Sequence, residues 1–175
     1  MNKGLARILI GYFLTCFQFR FGNFTVVPLF VCYLLILSGV QTLFTSTSKN
    51  YFRNAFAFAS VLVILHLSGD AYASITGQFP SIYQSAFYLT LDLVLVYLIF
   101  DGVVKTMKAL KDENAKATAN NITFYLMMQC IAIIGYLIVY SLQMPLGITI
   151  ISILGYMMKI NLLMSIYHSF HPKKS

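Results

Sequence analysis

The sequence predicts an all-α polytopic membrane protein, a bundle of six transmembrane helices with both termini in the cytoplasm. Hydrophobic residues make up 59% of the 175 residues and charged residues only 10%, with a mean hydropathy of +0.78. A soluble domain carries about 25% charged residues. The apolar residues are also gathered into stretches of membrane-spanning length. Lipid is therefore the expected solvent for most of a single domain over residues 1–175.

Six stretches approach the roughly 20 apolar residues that a membrane-spanning helix needs. The connections between the first and second spans and between the fifth and sixth are very short, so each pair is predicted to form a helical hairpin. Pro28 and Pro145 are expected to begin the second and sixth helices, because proline fits the first helical turn. The predicted spans are residues 5–22, 27–44, 54–75, 83–104, 122–142 and 146–167.

The longest polar segment, residues 105–121, is predicted to be a cytoplasmic loop. Its first part is expected to extend the fourth helix, and its last four residues, "TANN", resemble a turn or cap before the fifth span. No other segment is long enough to form a soluble domain.

The distribution of Lys and Arg predicts the orientation, because cytoplasmic loops retain these residues. Arg20 is the one basic residue in a predicted outside connection, and Lys159 falls within the sixth span. The net charge of +7 is therefore interpreted as a topology signal facing lipid headgroups at the plasma membrane, and not as a nucleic-acid interface. The predicted inside segments hold ten of the twelve basic residues: Lys3, Arg7, Lys49, Arg53, Lys105, Lys108, Lys111, Lys116, Lys173 and Lys174.

Ionisable side chains within the predicted spans are the candidate functional residues. Each charge at mid-bilayer costs about 2.5–3.5 kcal/mol on insertion scales, so such groups are expected to face the bundle interior and to find partners. They form either a polar pathway for an ion, a proton or a small solute, or a set of interhelical pairs that only hold the helices together. The candidates are Arg20, His66, Asp70, Asp92, Asp101 and Lys159.

Depth along the spans predicts the pairs among these candidates. Asp70 and Arg20 both belong to the outer half, whereas Asp92 and Asp101 bracket the depth of Lys159, so either aspartate can neutralise the lysine. His66 lies one helical turn from Asp70 on the same face and is expected to donate to Asp70 or to a tyrosine. Because the unperturbed pKa of a histidine is about 6.5, the charge of a histidine changes near neutral pH.

Motifs of enzymes and of cofactor sites are not found in the sequence: there is no GxSxG, no HExxH and no phosphate loop. Cys16, Cys32 and Cys130 lack metal-ligand spacing. No catalytic, metal or cofactor residue is therefore assigned. The expected function is that of a non-enzymatic accessory or regulatory protein that binds another membrane protein. The first alternative is a small-solute or ion transporter, or the substrate-binding subunit of one. A membrane-embedded enzyme is the least favoured alternative.

Residues 17–43, "FQFRFGNFTVVPLFVCYLLILSGVQTL", resemble the first hairpin of small polytopic membrane proteins of Gram-positive, Firmicutes-type bacteria. In that group an aromatic-rich segment precedes a proline, a "GY" and an apolar run that ends in Gly and Leu. Pro28, Tyr33, Gly39 and Leu43 fit this pattern, whereas Cys32 stands where the group has glycine. The resemblance implies a bacterial plasma-membrane setting and carries no activity.

The predicted architecture also resembles the substrate-binding subunits of energy-coupling-factor vitamin transporters, which are small, basic, six-span proteins. Their alanine-spaced contact motif is absent from the first span, where "GLARILIG" has Gly4 and Gly11 seven residues apart. Similar size and span number do not by themselves imply similar function.

Overall fold

The computed structural model describes residues 2–16, 20–21, 24–25, 27–47, 50–77 and 81–169. These ranges contain six α-helices, which confirms the all-α fold, together with one two-stranded hairpin and one 3₁₀ turn at Asn50–Phe52. In chain order the elements are α1 (Asn2–Cys16), β1 (Arg20–Phe21), β2 (Phe24–Thr25), α2 (Leu29–Ser46), α3 (Arg53–Thr76), α4 (Ile82–Ala109), α5 (Ala115–Ser141) and α6 (Pro145–Ser169).

Five of the six helices, α2 to α6, are long and apolar enough to cross a membrane. The exception is α1, whose 15 residues reach roughly 22 Å against the roughly 30 Å of a hydrocarbon core. The first span was predicted to continue to residue 22, but the helix ends at Cys16. Arg20 lies in a hairpin instead, where it pairs with Thr25.

The loop predicted over residues 105–121 is much shorter in the structure. α4 continues to Ala109 and α5 begins at Ala115, because the Lys- and Ala-rich flanks are good helix formers and do not need to stop at the membrane boundary. The "TANN" segment is therefore helical, and its prediction as a turn or cap was wrong. Asp112 closes the true turn by accepting a hydrogen bond from the Asn114 N–H at 2.9 Å.

The chain divides into two compact units, Met1–Ser81 and Ile82–Ser175. In the first unit, α2 packs against both α1 and α3; in the second, α5 packs against both α4 and α6. Of the most apolar stretch of each helix, 44% is buried for α4, but only 11% for α5 and 17% for α6. α5 and α6 therefore leave more of their apolar stretches exposed than α4 does.

Glycines bring α1 and α2 into close antiparallel contact. A Cβ placed on Gly39 would lie 2.6 Å from the carbonyl oxygen of Gly4, and one placed on Gly11 would lie 2.9 Å from the carbonyl oxygen of Cys32. Such separations are possible only without side chains, so the two backbones approach directly. The N-terminal end of α1 consequently lies beside the C-terminal end of α2, as the predicted hairpin requires.

The hairpin of α5 and α6 is tight, as predicted, with Pro145 at the start of α6. The connection is Leu142–Met144, in which Gln143 takes a positive φ of 55°. The two helices are antiparallel, since a Cβ on Gly147 would meet Val139 and one on Gly135 would lie 3.4 Å from Ile151.

Candidate functional site

The Asp92–Lys159 ion pair is a buried polar contact of the second unit. Lys159 Nζ donates to Asp92 Oδ2, which joins α6 to α4, and only 6% of Asp92 and 7% of Lys159 is exposed. Two opposite charges in contact avoid most of the cost that each would carry alone in hydrocarbon. Of the two aspartates that depth allowed, the structure selects Asp92.

Asp101 has a different partner. Its Oδ2 accepts a hydrogen bond of 2.6 Å from Lys105 Nζ, one turn further along α4, and both side chains are partly exposed. A pair of this kind contributes little to stability, because water screens it. Asp101 is therefore not part of the buried site.

Asp70 interacts with the N-terminus of α2. Its Oδ2 accepts a hydrogen bond of 3.3 Å from the Phe30 N–H, one of the backbone donors that have no partner within the helix. Pro28, the N-cap residue, makes no side-chain capping bond. The carboxylate of α3 therefore caps α2 and also lies at the positive end of the α2 dipole.

His66 lies one turn before Asp70 on the same face of α3, and it is 5% exposed. Its ring stacks on that of Tyr33 in α2, with centroids 4.3 Å apart and an angle of 15° between the planes. A tyrosine was one of the two expected partners of His66, and Tyr33 contacts it through a ring stack. The face of α3 that carries both residues therefore packs against α2.

The six predicted candidates separate by unit. His66 and Asp70 lie in the first unit, and Asp92, Asp101 and Lys159 lie in the second. The predicted Arg20–Asp70 pair depends on the side chain of Arg20, which lies outside the described part of the chain. Across the described residues, no three His, Cys, Asp or Glu side chains lie together where they could hold a metal ion.

Two polar residues of the second unit were missed by the sequence analysis, although both are amides within apolar spans. Gln129 of α5 donates through Nε2 to the carbonyl oxygen of Gly155 at 2.7 Å, and this bond joins α5 to α6. Asn161 of α6 is exposed, and its side chain makes no hydrogen bond to any described residue. An uncharged amide between apolar residues was the signal that could have identified both.

Exposed hydroxyls behave differently from Asn161. Each donates to a backbone carbonyl three or four residues earlier in its own helix, so it can face lipid at little cost. The exposed serines and threonines of this kind on α3, α4 and α5 are Ser68, Ser74, Thr76, Thr90, Thr123 and Ser141.

The first unit also contains an arginine that the sequence analysis counted only as a topology signal. Arg7 of α1 donates through Nη1 to Ser38 Oγ at 3.0 Å and to Thr42 Oγ1 at 3.1 Å, both in α2. The close approach at Gly4 and Gly39 brings these side chains within reach of each other.

Five apolar helices of spanning length, with their buried charges paired between helices, define a helical membrane protein. No protein-family model, no curated protein and no solved structure matches the chain.

Proposed function

We propose that this chain is a non-enzymatic accessory or regulatory protein of the plasma membrane, and that it binds a transmembrane helix of another membrane protein through α6. The observation that carries the proposal is the exposed amide of Asn161 within an apolar face of that helix.

The outer stripe of α6 repeats every three or four residues along one face of the helix. This spacing is the one with which helices pack against each other along a seam. The stripe consists of Leu146, Ile150, Ile153, Met157, Asn161 and Met164, all exposed.

Asn161 supports a protein partner more than a lipid one. It lies within the apolar stretch Leu146–Ser165, about 12 Å before the end of α6 at Ser169. An amide facing acyl chains loses hydrogen bonds that lipid cannot replace, whereas a partner helix can supply a donor and an acceptor. Methionines on either side, Met157 and Met164, adapt readily to a partner surface.

The outer stripe of α5 provides the contrast. Met127, Ile131, Ile134 and Ile138 have the same spacing and are all exposed, but none of them carries a polar group. Lipid can cover this stripe without leaving a polar group unpaired. The stripe of α5 therefore serves as the control surface for the stripe of α6.

The local pairing of the ionisable groups supports an accessory role over transport. Asp92 neutralises Lys159, Asp70 caps α2, and Asp101 pairs with Lys105. A transport pathway needs groups that bind and release a solute, whereas these groups already have partners that hold helices together.

The alternative function is transport of an ion or small solute. Its support is the Asp92–Lys159 pair, because a buried carboxylate that can exchange its cationic partner for a proton or solute is a known design of transporters. The ion-pair variants described in the Discussion separate the two functions.

Both termini are proposed to be cytoplasmic. In the first unit the antiparallel hairpin puts Lys3 and Arg7 at the same end as Arg53. In the second unit the antiparallel α5 and α6 put the end of α6 at the level of the α4–α5 turn with its lysines. The positive-inside rule assigns both of these ends to the cytoplasm.

Cysteine labelling tests this topology. We expect Asn114→Cys, in the α4–α5 turn, to react with a membrane-impermeant maleimide only after the cells are permeabilised. Gln143→Cys, in the α5–α6 turn, should react in intact cells. Both variants are made with the three native cysteines replaced by alanine. Labelling of Asn114→Cys in intact cells would reverse the assignment.

Site-specific photo-crosslinking tests the α6 interface. A photoreactive residue at Met157 or Ile153 is expected to give one adduct of defined mass in native membranes, containing the same membrane protein at both positions. Asn161→Leu should weaken that adduct by about fivefold or more, since interhelical hydrogen bonds in membranes contribute about 1–2 kcal/mol.

The same photoreactive residue at Ile131 or Ile134 of α5 is the matched control and should give lipid adducts only. Equal protein adducts from both helices would indicate random collisions and contradict the proposal. An adduct of twice the chain mass would identify a second copy of this chain as the occupant, and would also contradict it.

A further inference from the structure

The side chain of Arg7 and its two hydroxyl partners form a polar site in the first unit, apart from the α6 surface of the proposed function. Thr42 Oγ1 accepts from Arg7 Nη1 while its own hydrogen goes to the Ser38 carbonyl oxygen at 2.8 Å. The Thr42 hydroxyl is therefore oriented as an acceptor, and the two hydrogen bonds use both hydrogens of Arg7 Nη1. The two hydrogen bonds from Nη1 hold the plane of the guanidinium in one orientation.

The other edge of the guanidinium remains available. Nη2 and Nε of Arg7 make no hydrogen bond to the described residues, and the side chain is exposed. These two nitrogens form the fork that binds two oxygens of a phosphate or a carboxylate at once.

Charge compensation for Arg7 has to come from outside the first unit. Residues 1–81 contain five basic residues and one acidic residue, Asp70. That carboxylate is bound to Phe30 N–H at the N-terminal end of α2, whereas Thr42 lies near the C-terminal end. Lys3, exposed one turn before Arg7 on the same face of α1, adds a second positive charge.

Arg7 lies near enough to the C-terminal end of α2 for its guanidinium to meet a lipid phosphate at that end. Ser38 and Thr42 lie about 12 Å and about 6 Å from the end of α2 at Ser46. Arginine side chains near the ends of membrane helices extend to the headgroup level, where phosphates are the most abundant anions.

We infer that Arg7, oriented by Ser38 and Thr42, binds the phosphate of an anionic lipid headgroup in the groove between α1 and α2. The site is in the first unit and does not depend on the α6 interface. Lys3 contributes charge, so a lipid with net negative charge binds better than a zwitterionic one.

Thermal unfolding of the full-length chain tests the site, with phosphatidylglycerol titrated into phosphatidylcholine–detergent micelles. Phosphatidylglycerol is expected to raise the Tm of the wild type. Arg7→Gln should weaken its apparent affinity by roughly tenfold or more, as expected for the loss of hydrogen bonds between charged groups. Arg7→Lys, which keeps the charge without the fork, should lose most of this affinity as well.

Arg53→Gln is the matched control, because it removes one exposed positive charge from the same end of the unit. It should weaken binding by about fivefold or less, the effect of a basic residue near an anionic surface. Equal losses in Arg7→Gln and Arg53→Gln would show general electrostatic attraction and overturn the assigned site.

Two further arms keep the test decisive. The Ser38→Ala/Thr42→Ala double variant retains every charge and should still lose affinity, because the guanidinium is no longer oriented; unchanged affinity would overturn the proposal. Inorganic phosphate at millimolar concentration is expected to leave the Tm unchanged. Stabilisation equal to that by phosphatidylglycerol would assign the site to a free anion instead of a lipid.

Discussion

Replacing one member of the Asp92–Lys159 pair is expected to lower the free energy of unfolding by about 3 kcal/mol or more. Asp92→Asn leaves the Lys159 ammonium buried without its counter-charge, and Lys159→Met does the same to the carboxylate. Breaking a buried ion pair costs more than the pair itself contributes, because the remaining charge has lost both water and its partner. Unfolding of the purified chain by SDS, followed by far-UV circular dichroism, measures the change.

The double variant Asp92→Asn/Lys159→Met should recover most of the lost stability, since no charge remains in the apolar interior. The matched control is Asp101→Asn/Lys105→Met, which removes an exposed pair of the same helix and should change stability by less than about 1 kcal/mol. Single variants of the buried pair that unfold at the wild-type SDS concentration would contradict a structural role.

The same variants separate the accessory function from transport. If the folded double variant keeps the photo-adduct at Met157 and cells show no loss of uptake, the ion pair serves the fold and the partner binds another part of α6. If it folds and keeps its adduct, but cells lose a proton- or solute-dependent uptake that the wild type supports, the transport function replaces the accessory one.

Residue depth within a span limited the partner of Lys159 to Asp92 or Asp101 and did not predict the partner of Asp70. Hydropathy and the positions of charged residues give the depth of each residue along the membrane normal. Few residues of opposite charge lie at similar depths, so the candidate ion pairs are few. Asp70 instead binds a backbone N–H of α2. Every helix start offers such donors, so no residue type in the sequence distinguishes the one that is used.

The close backbone contact between α1 and α2 was also not predictable from composition. Gly4 and Gly11 were seen to be seven residues apart, and Gly39 to lie in the second span, but glycines at such spacings occur for many reasons. Gly4 faces Gly39 because of how each helix is rotated about its own axis, and only the structure shows this rotation. Likewise, an apolar count over residues 5–22 does not reveal that Arg20 pairs with Thr25 in a hairpin.

Gly39→Ala is expected to destabilise the first unit by about 2–3 kcal/mol, although alanine favours a helix more than glycine does. The new Cβ would lie 2.6 Å from the Gly4 carbonyl oxygen and 2.9 Å from the Ile8 backbone nitrogen. Both atoms belong to the backbone of α1, so no side-chain rotation can relieve the overlap and the helix itself has to move.

Gly155→Ala is the matched control in the other hairpin. Its Cβ would lie 3.5 Å from Gln129 Oε1, an ordinary contact, so the gain in helix propensity should dominate and stability should rise by about 0.5–1 kcal/mol. The two glycine-to-alanine changes are therefore expected to have opposite signs in the same SDS titration. A loss of similar size at both positions would show that glycine is needed for flexibility and not for close packing.

The movement of α1 has a second consequence, because Arg7 reaches Ser38 and Thr42 only while α1 lies against α2. Gly39→Ala should therefore reduce the stabilisation by phosphatidylglycerol about as much as Arg7→Gln does, although it leaves every residue of the lipid site unchanged. Gly155→Ala should leave that response at the wild-type level. A Gly39→Ala protein that keeps the full lipid response while losing stability would separate the site from the helix contact and show that Arg7 binds lipid without its hydroxyl partners.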